Sequence, residues 1–127
     1  MPVDNRTRQR LLGDWGEEAV CAWLKRHRYK VLARNFRCRL GEIDIIAANR
    51  DYIAFVEVKL RRDADFARAL EAVTPAKQRR ILMTAELYLQ KYPTELQPRF
   101  DVAEVYAPEG MTTSRPEINY LEDAFES

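Results

Sequence analysis

Histidine and cysteine are nearly missing from this chain of 127 residues: it has one histidine, His27, and two cysteines, Cys21 and Cys38. These are too few nitrogen and sulfur donors to assemble a four-ligand structural zinc site within one chain. The cysteines lack Cys-x-x-Cys spacing and read as reduced, structural thiols, in keeping with a cytoplasmic protein. No apolar run approaches the roughly 20 residues of a membrane-spanning helix. The first ten residues are polar and lack the apolar segment of a secretory signal. Residues 1–12 therefore read as a flexible basic arm, followed by a single domain over 13–127. Net charge is also lacking, since 21 basic and 20 acidic residues leave +1. Any nucleic-acid surface must then come from local segregation of charge. Internal repeats and low-complexity segments are absent as well.

What is present is an ordinary apolar fraction, 46%, in a length that suits one layered core. Periodicity places a first amphipathic helix from Gly13 to about His27, with Trp15, Ala19, Ala22 and Trp23 on one face and Val20 and Leu24 extending it. Asp14, Glu17 and Glu18 lie in its first turns, where the helix dipole favours acids. Strands follow at Tyr29–Phe36, Glu42–Ala48 and Tyr52–Leu60, with a turn at Asn49-Arg50-Asp51, making an antiparallel meander. A loop with a short helix around Phe66–Val73 leads to Thr74-Pro75, an N-cap followed by proline at the first helical position. That helix runs to about Lys91. A fourth strand, Arg99–Tyr106, can return parallel beside the third because a helix separates them. Pro108–Pro116 is a loop, and Ile118–Leu121 reads as a short edge strand. The fold class is α/β: a central mixed sheet of four to five strands in the order α-β-β-β-α-β, flanked by helices.

The segment Gly41-Glu42-Ile43-Asp44-Ile45-Ile46, followed by Phe55-Val56-Glu57-Val58-Lys59, carries the chemistry. Ile53–Val58 is apolar on both faces except at Glu57, as in a strand covered on both sides. A carboxylate in such a strand is costly unless something positive compensates it. Asp44 is a second acid of this kind on the neighbouring strand. Lys59 emerges on the same face as Glu57, because side chains alternate along a strand. Two such acids with a lysine beside them suit Mg2+ or Mn2+, which prefer oxygen donors and retain waters. The plainer alternative is a pair of strand-end carboxylates bridged to arginines. Glu42 shares a face with Asp44 and suits either a supporting acid or a salt bridge to arginine. Arginines cluster at Arg6, Arg8 and Arg10, at Arg34, Arg37 and Arg39, at Arg61 and Arg62, and at Lys77, Arg79 and Arg80. Solvated faces account for any one cluster, but Arg37, Arg39, Arg61 and Arg62 flank the acidic strands. Lys77-Gln78-Arg79-Arg80 spans a full helical turn, so only one or two of its members can face one ligand. Asp101 is expected to pair with a neighbouring basic group, and Trp15, Trp23 and Tyr88 stand at core spacing.

The Asp, then Glu-x-Lys, arrangement on adjacent strands resembles the PD-(D/E)xK nuclease superfamily, which includes restriction endonucleases and Holliday-junction resolvases. More closely, the chain is similar to the small bacterial proteins of the YraN (UPF0102) family. Gly16-Glu17, Asn35-Phe36-Arg37, Gly41-Glu42-Ile43-Asp44, Phe55-Val56-Glu57-Val58-Lys59, Lys77-Gln78-Arg79-Arg80-Ile81 and Arg99-Phe100-Asp101-Val102 carry that resemblance in order. Ile43 stands where the broader superfamily often has proline. The resemblance implies a restriction-endonuclease-like core. It also implies the Val58 carbonyl as a further metal ligand and Glu17 as the helical acid, a choice over Glu18 that helical geometry leaves open. Lys77, Gln78 and Arg80 would then lie on a helix facing the site. The expected activity is metal-dependent hydrolysis of DNA phosphodiester bonds, with Asp44 and Glu57 holding the metal and Lys59 assisting. Branched DNA or recombination intermediates and a homodimer are implied by the resolvases alone. The alternatives are a non-catalytic nucleic-acid-binding module on the same fold and a structural adaptor in DNA processing.

Overall fold

The computed structural model describes residues 5–62 and 73–125. Helix α1 (Asn5–Arg26) leads into strands β1 (Lys30–Cys38), β2 (Gly41–Ala48) and β3 (Tyr52–Arg61). Helix α2 (Pro75–Lys91), strand β4 (Gln97–Tyr106), a 3-10 turn at Gly110–Thr112 and strand β5 (Glu117–Leu121) follow among the described residues. Their five strands form one sheet in the order β1-β2-β3-β4-β5. Neighbours are antiparallel except β3 and β4, which run parallel across the α2 crossover. This is the expected α/β order, with both the meander and the edge strand in place, and it is consistent with a restriction-endonuclease-like core.

Strand β3 lies mid-sheet and is buried on both faces from Ile53 to Glu57. Ile53 and Phe55 join Ile81, Ala85 and Tyr88 of α2 in one core layer, together with Ile46, Phe100 and Val102. Ala54 and Val56 join Val20, Cys21 and Leu24 of α1 in the other, with Ile45, Ala103 and Val105. Thr74 caps α2 by accepting the Lys77 N–H at 3.2 Å, with Pro75 at the first helical position, as the sequence predicts.

Helix α1 departs from expectation at both its start and its face. It begins at Asn5, so residues 5–12, expected to form part of a basic arm, are helical turns. Arg6–Arg10 are exposed; Arg, Gln and Leu favour the helix intrinsically, without the buried stripe that periodicity detects. The buried stripe further along is Gly16, Glu17, Val20, Cys21 and Leu24, with Trp15 and Trp23 at its edges and Ala22 exposed. Gly16 permits close packing on β3, since a Cβ there would lie 3.0 Å from Leu60 Cδ2. The helix expected around Phe66–Val73 lies, apart from Val73, outside the described residues. No helix among the described residues is long and apolar enough to cross a membrane.

Candidate active site

Strands β2 and β3 are paired from Ala48↔Ile53 to Ile45↔Val56. Asp44 and Glu57 are the next residues on each side, so they stand where the two strands part. Beyond that last pair a side chain takes over from the ladder: Asp44 Oδ2 accepts the Val58 N–H at 2.8 Å. Glu57 is only 6% exposed. Its Oε1 receives Lys77 Nζ from α2 at 2.5 Å and Lys59 Nζ, two residues along its own strand, at 3.5 Å. Alternation along β3 gives Glu57 and Lys59 their common face, and α2 packs on that face.

The electrostatics of this group are unbalanced. Burial, and then the Glu57 carboxylate, push the Asp44 carboxyl up to about 7. Burial, and then the neighbouring Lys77, draw Lys59 below its ordinary value. Burial also pulls on Lys77, but its contacts with Glu57 and Lys59 outweigh it and hold Lys77 above its ordinary value. The two ammonium groups thus divide unequally: Lys77 takes the short contact to Glu57, and Lys59 bears the cost of their proximity. A buried acid that retains its proton near neutrality, with a second acid beside it, is a place where more positive charge would be stabilising. Among the described residues, no three Asp, Glu, His or Cys side chains gather closely enough to enclose a metal ion. Two carboxylates beside an open cleft nonetheless fit Mg2+ or Mn2+, which take one or two carboxylates and keep several waters.

Asp44 and Glu57 line a cavity of about 610 Å³, with Lys77, Arg80, Arg37 and Glu42 on its walls. Arg37 and Glu42 form an ion pair at 3.2 Å. They also border a second cavity of about 510 Å³ that holds Glu17, Asn35, Asp14 and Arg10. Glu17 is the buried member of the helical acid pair, whereas Glu18 is exposed and pairs with Arg34 at 2.7 Å. Burial raises the Glu17 carboxyl despite a 3.0 Å hydrogen bond donated by Asn35 Nδ2. Asn35 adopts a positive φ of 53° within β1, a conformation that asparagine tolerates better than most residues. The sequence shows the Asn35-Phe36-Arg37 run but not this role for its first member.

The remaining expected contacts divide. Lys77, Arg80 and Arg37 line the larger cavity, while Arg39 and Arg62 are exposed. Arg61 is committed elsewhere: its Nε lies 3.4 Å from the buried Glu104 carboxylate of β4. Tyr106 and Asn119 also donate to Glu104. Gln78 turns back to donate to the Val73 carbonyl at 2.9 Å. Asp101 pairs with Arg99 at 2.9 Å, as expected, and also accepts from Tyr120 and from the Asp123 N–H. Cys38, not expected near the site, lines the same cavity as Asp44. Burial would raise its thiol, but hydrogen bonds with the Leu40 N–H, Thr84 and the Gly41 N–H hold it below the usual value.

Comparison with known proteins places relatives across nearly the whole chain. The family described as "Uncharacterised protein family UPF0102" matches residues 16–105. A UPF0102 protein of Caldicellulosiruptor saccharolyticus is 43% identical over 118 residues, covering 92% of this chain and 98% of the relative. One from Acetivibrio thermocellus is 43% identical, covering 97% of each chain. Another, from Caldanaerobacter subterraneus subsp. tengcongensis, is 38% identical over 94% of this chain and 98% of its own.

Proposed function

We propose that this chain, which belongs to the UPF0102 family, is a divalent-metal-dependent nuclease that hydrolyses DNA phosphodiester bonds. The observation that carries the reading is the meeting of Asp44 and Glu57 where β2 and β3 part, in a cavity walled by Lys77, Arg80 and Arg37. Asp44 and Glu57 would hold Mg2+ or Mn2+, with the Val58 carbonyl as a further ligand. When bound, such an ion polarises the phosphate and lowers the pKa of a coordinated water. Lys59, beside Glu57, orients the attacking water and stabilises the charge that develops on the phosphate. Glu17, held by Asn35, bears on Asp44 from the α1 side. Arg37, Arg80 and Lys77 supply positive charge to the phosphate backbone, and the exposed Arg39 and Arg62 add to it at longer range. Branched or recombination-intermediate DNA as substrate, a homodimer as the working form and the cytoplasm as compartment complete the proposal.

One observation favours a second reading. The 2.5 Å ion pair between Lys77 and Glu57 already neutralises one of the two acids, as a non-catalytic nucleic-acid-binding module would need. Cleavage of linear, flapped and four-way DNA with Mg2+, Mn2+ or EDTA separates the two. The nuclease reading expects metal-dependent cleavage that Asp44→Asn, Glu57→Gln and Lys59→Ala each lower by a few orders of magnitude. Metal-dependent cleavage absent from the wild-type protein on every substrate would leave the binding module.

A further inference from the structure

The same ion pair supports a more specific inference, which rests on the metal site proposed above. We propose that Lys77 is a resident counter-ion that competes with the divalent cation for Glu57, so that metal entry and lysine release are one event. Lys77 Nζ holds Glu57 Oε1 at 2.5 Å, whereas Lys59 stands off at 3.5 Å. A divalent ion taken up through this carboxylate must sit against a cation already in contact with it. At such separations the repulsion between the two exceeds thermal energy even at a high effective dielectric. That repulsion favours release of one of them.

The structure indicates which group can move. Lys59 rises from the same strand as Glu57, and its side chain is 20% exposed. Lys77 reaches the carboxylate from a different element, and its side chain is 39% exposed. Its backbone is fixed, since the Lys77 N–H is bound by the Thr74 cap. The following residue, Gln78, is tied to Val73. Motion is therefore left to the four-carbon stem, which can swing away from Glu57 without disturbing α2. Arg80 and Arg37 share the cavity walls, so a released Lys77 ammonium joins two other cations that suit phosphate oxygens. Lysine exchange would thus couple metal uptake to polyanion binding, and linkage makes that coupling reciprocal.

Titration calorimetry with Mn2+ tests this on the full chain, comparing wild type with Lys77→Met, Lys77→Gln, Lys59→Met and Asp44→Asn. Both Lys77 variants should bind Mn2+ about ten-fold tighter than wild type, well beyond any gain in Lys59→Met. In EDTA, Lys77→Met should melt below wild type, and saturating Mn2+ should reverse that order. Binding seen in the Lys77 variants alone would also support the exchange, with the lysine winning outright in the wild type. Equal gains in the Lys77 and Lys59 variants would overturn it by showing only a general charge effect. Wild-type binding that Asp44→Asn abolishes and Lys77→Met leaves unchanged would overturn it while the metal site stands. Mn2+ binding by none of the proteins would remove both.

Discussion

At the scale of single residues, Asp44 yields a pH dependence whose sign is fixed. Its folded carboxyl retains a proton up to about 7, against an ordinary value of 3.8. Between those values the unfolded chain has released a proton that the folded protein still holds, so stability falls as pH rises through the window. Below about pH 4 both states are protonated and the effect vanishes. Asp44→Asn, which keeps an acceptor for the Val58 N–H, should therefore stabilise the protein at pH 8 in EDTA and not at pH 3.5. A gain on the order of 2 kcal/mol is expected, after discounting for solvent screening and for coupling to Glu57. Urea denaturation at the two pH values checks it, and equal differences at both would contradict it. Asn35 yields a second residue-scale test, because it combines a left-handed backbone with a side-chain hydrogen bond to Glu17. Asn35→Gly loses the bond to a buried carboxylate, at about 1–3 kcal/mol. Asn35→Ala should lose roughly 1 kcal/mol more, because alanine resists the left-handed conformation. If the two variants unfold at the same denaturant concentration, the backbone part of this account is wrong.

Among the elements, α2 matters most, because it carries Lys77 and Arg80 to the cavity and Ile81 to the core. Its distance from β2 is set at Gly41. An added Cβ there would lie 3.1 Å from Thr84 Oγ1 and 3.3 Å from Arg80 Cβ, both on the helix. Gly41→Ala should push α2 outward, costing about 1–3 kcal/mol and weakening Mn2+ binding. Gly16→Ala meets the Leu60 side chain, at 3.0 Å from Cδ2 and 3.3 Å from Cγ, rather than a facing helix backbone, and should cost less; denaturation of the two variants ranks them, and the reverse order would refute this view of the helix spacing. The elements themselves were legible in the sequence, because β-branched runs, the Asn49 turn and the Thr74-Pro75 cap are local signals. The first turns of α1 were not, since Arg6–Arg10 bury nothing and so leave no periodic trace. The site was legible in part for a related reason. Alternation along one strand relates Glu57 to Lys59, but the Arg61 partner, Glu104, lies on a strand beyond α2, and no local pattern links them. The grip of Lys77 on Glu57 depends in the same way on how a helix lies over a sheet.

The whole molecule carries almost no net charge, so affinity for a polyanion depends on which cations a phosphate can reach. Arg80 lines the cavity, as does Arg37, whose ion pair with Glu42 is solvent-exposed and open to exchange, whereas Arg61 is held against the buried Glu104 carboxylate. In nucleic-acid binding, Arg80→Ala and Arg37→Ala should each lower the slope of log K against log salt by roughly one unit. Arg61→Ala should leave the slope unchanged and destabilise the fold instead, because it leaves the buried Glu104 carboxylate with only the neutral donors Tyr106 and Asn119. A lowered slope for Arg61→Ala with undiminished stability would reverse that assignment.

The hydrogen bond from the Val58 N–H to Asp44 has a consequence for how the site can be watched. A backbone amide normally reports on its peptide neighbours, but this one is bound to a carboxylate whose charge changes near neutrality. In EDTA, its proton resonance should titrate with a midpoint near 7 while the amides of Val56 and Phe55 stay still. Added Mg2+ should hold it at the deprotonated position well below that pH. Val58 thus serves as an internal gauge of the ionisation state of Asp44, readable by NMR without substrate, label or turnover.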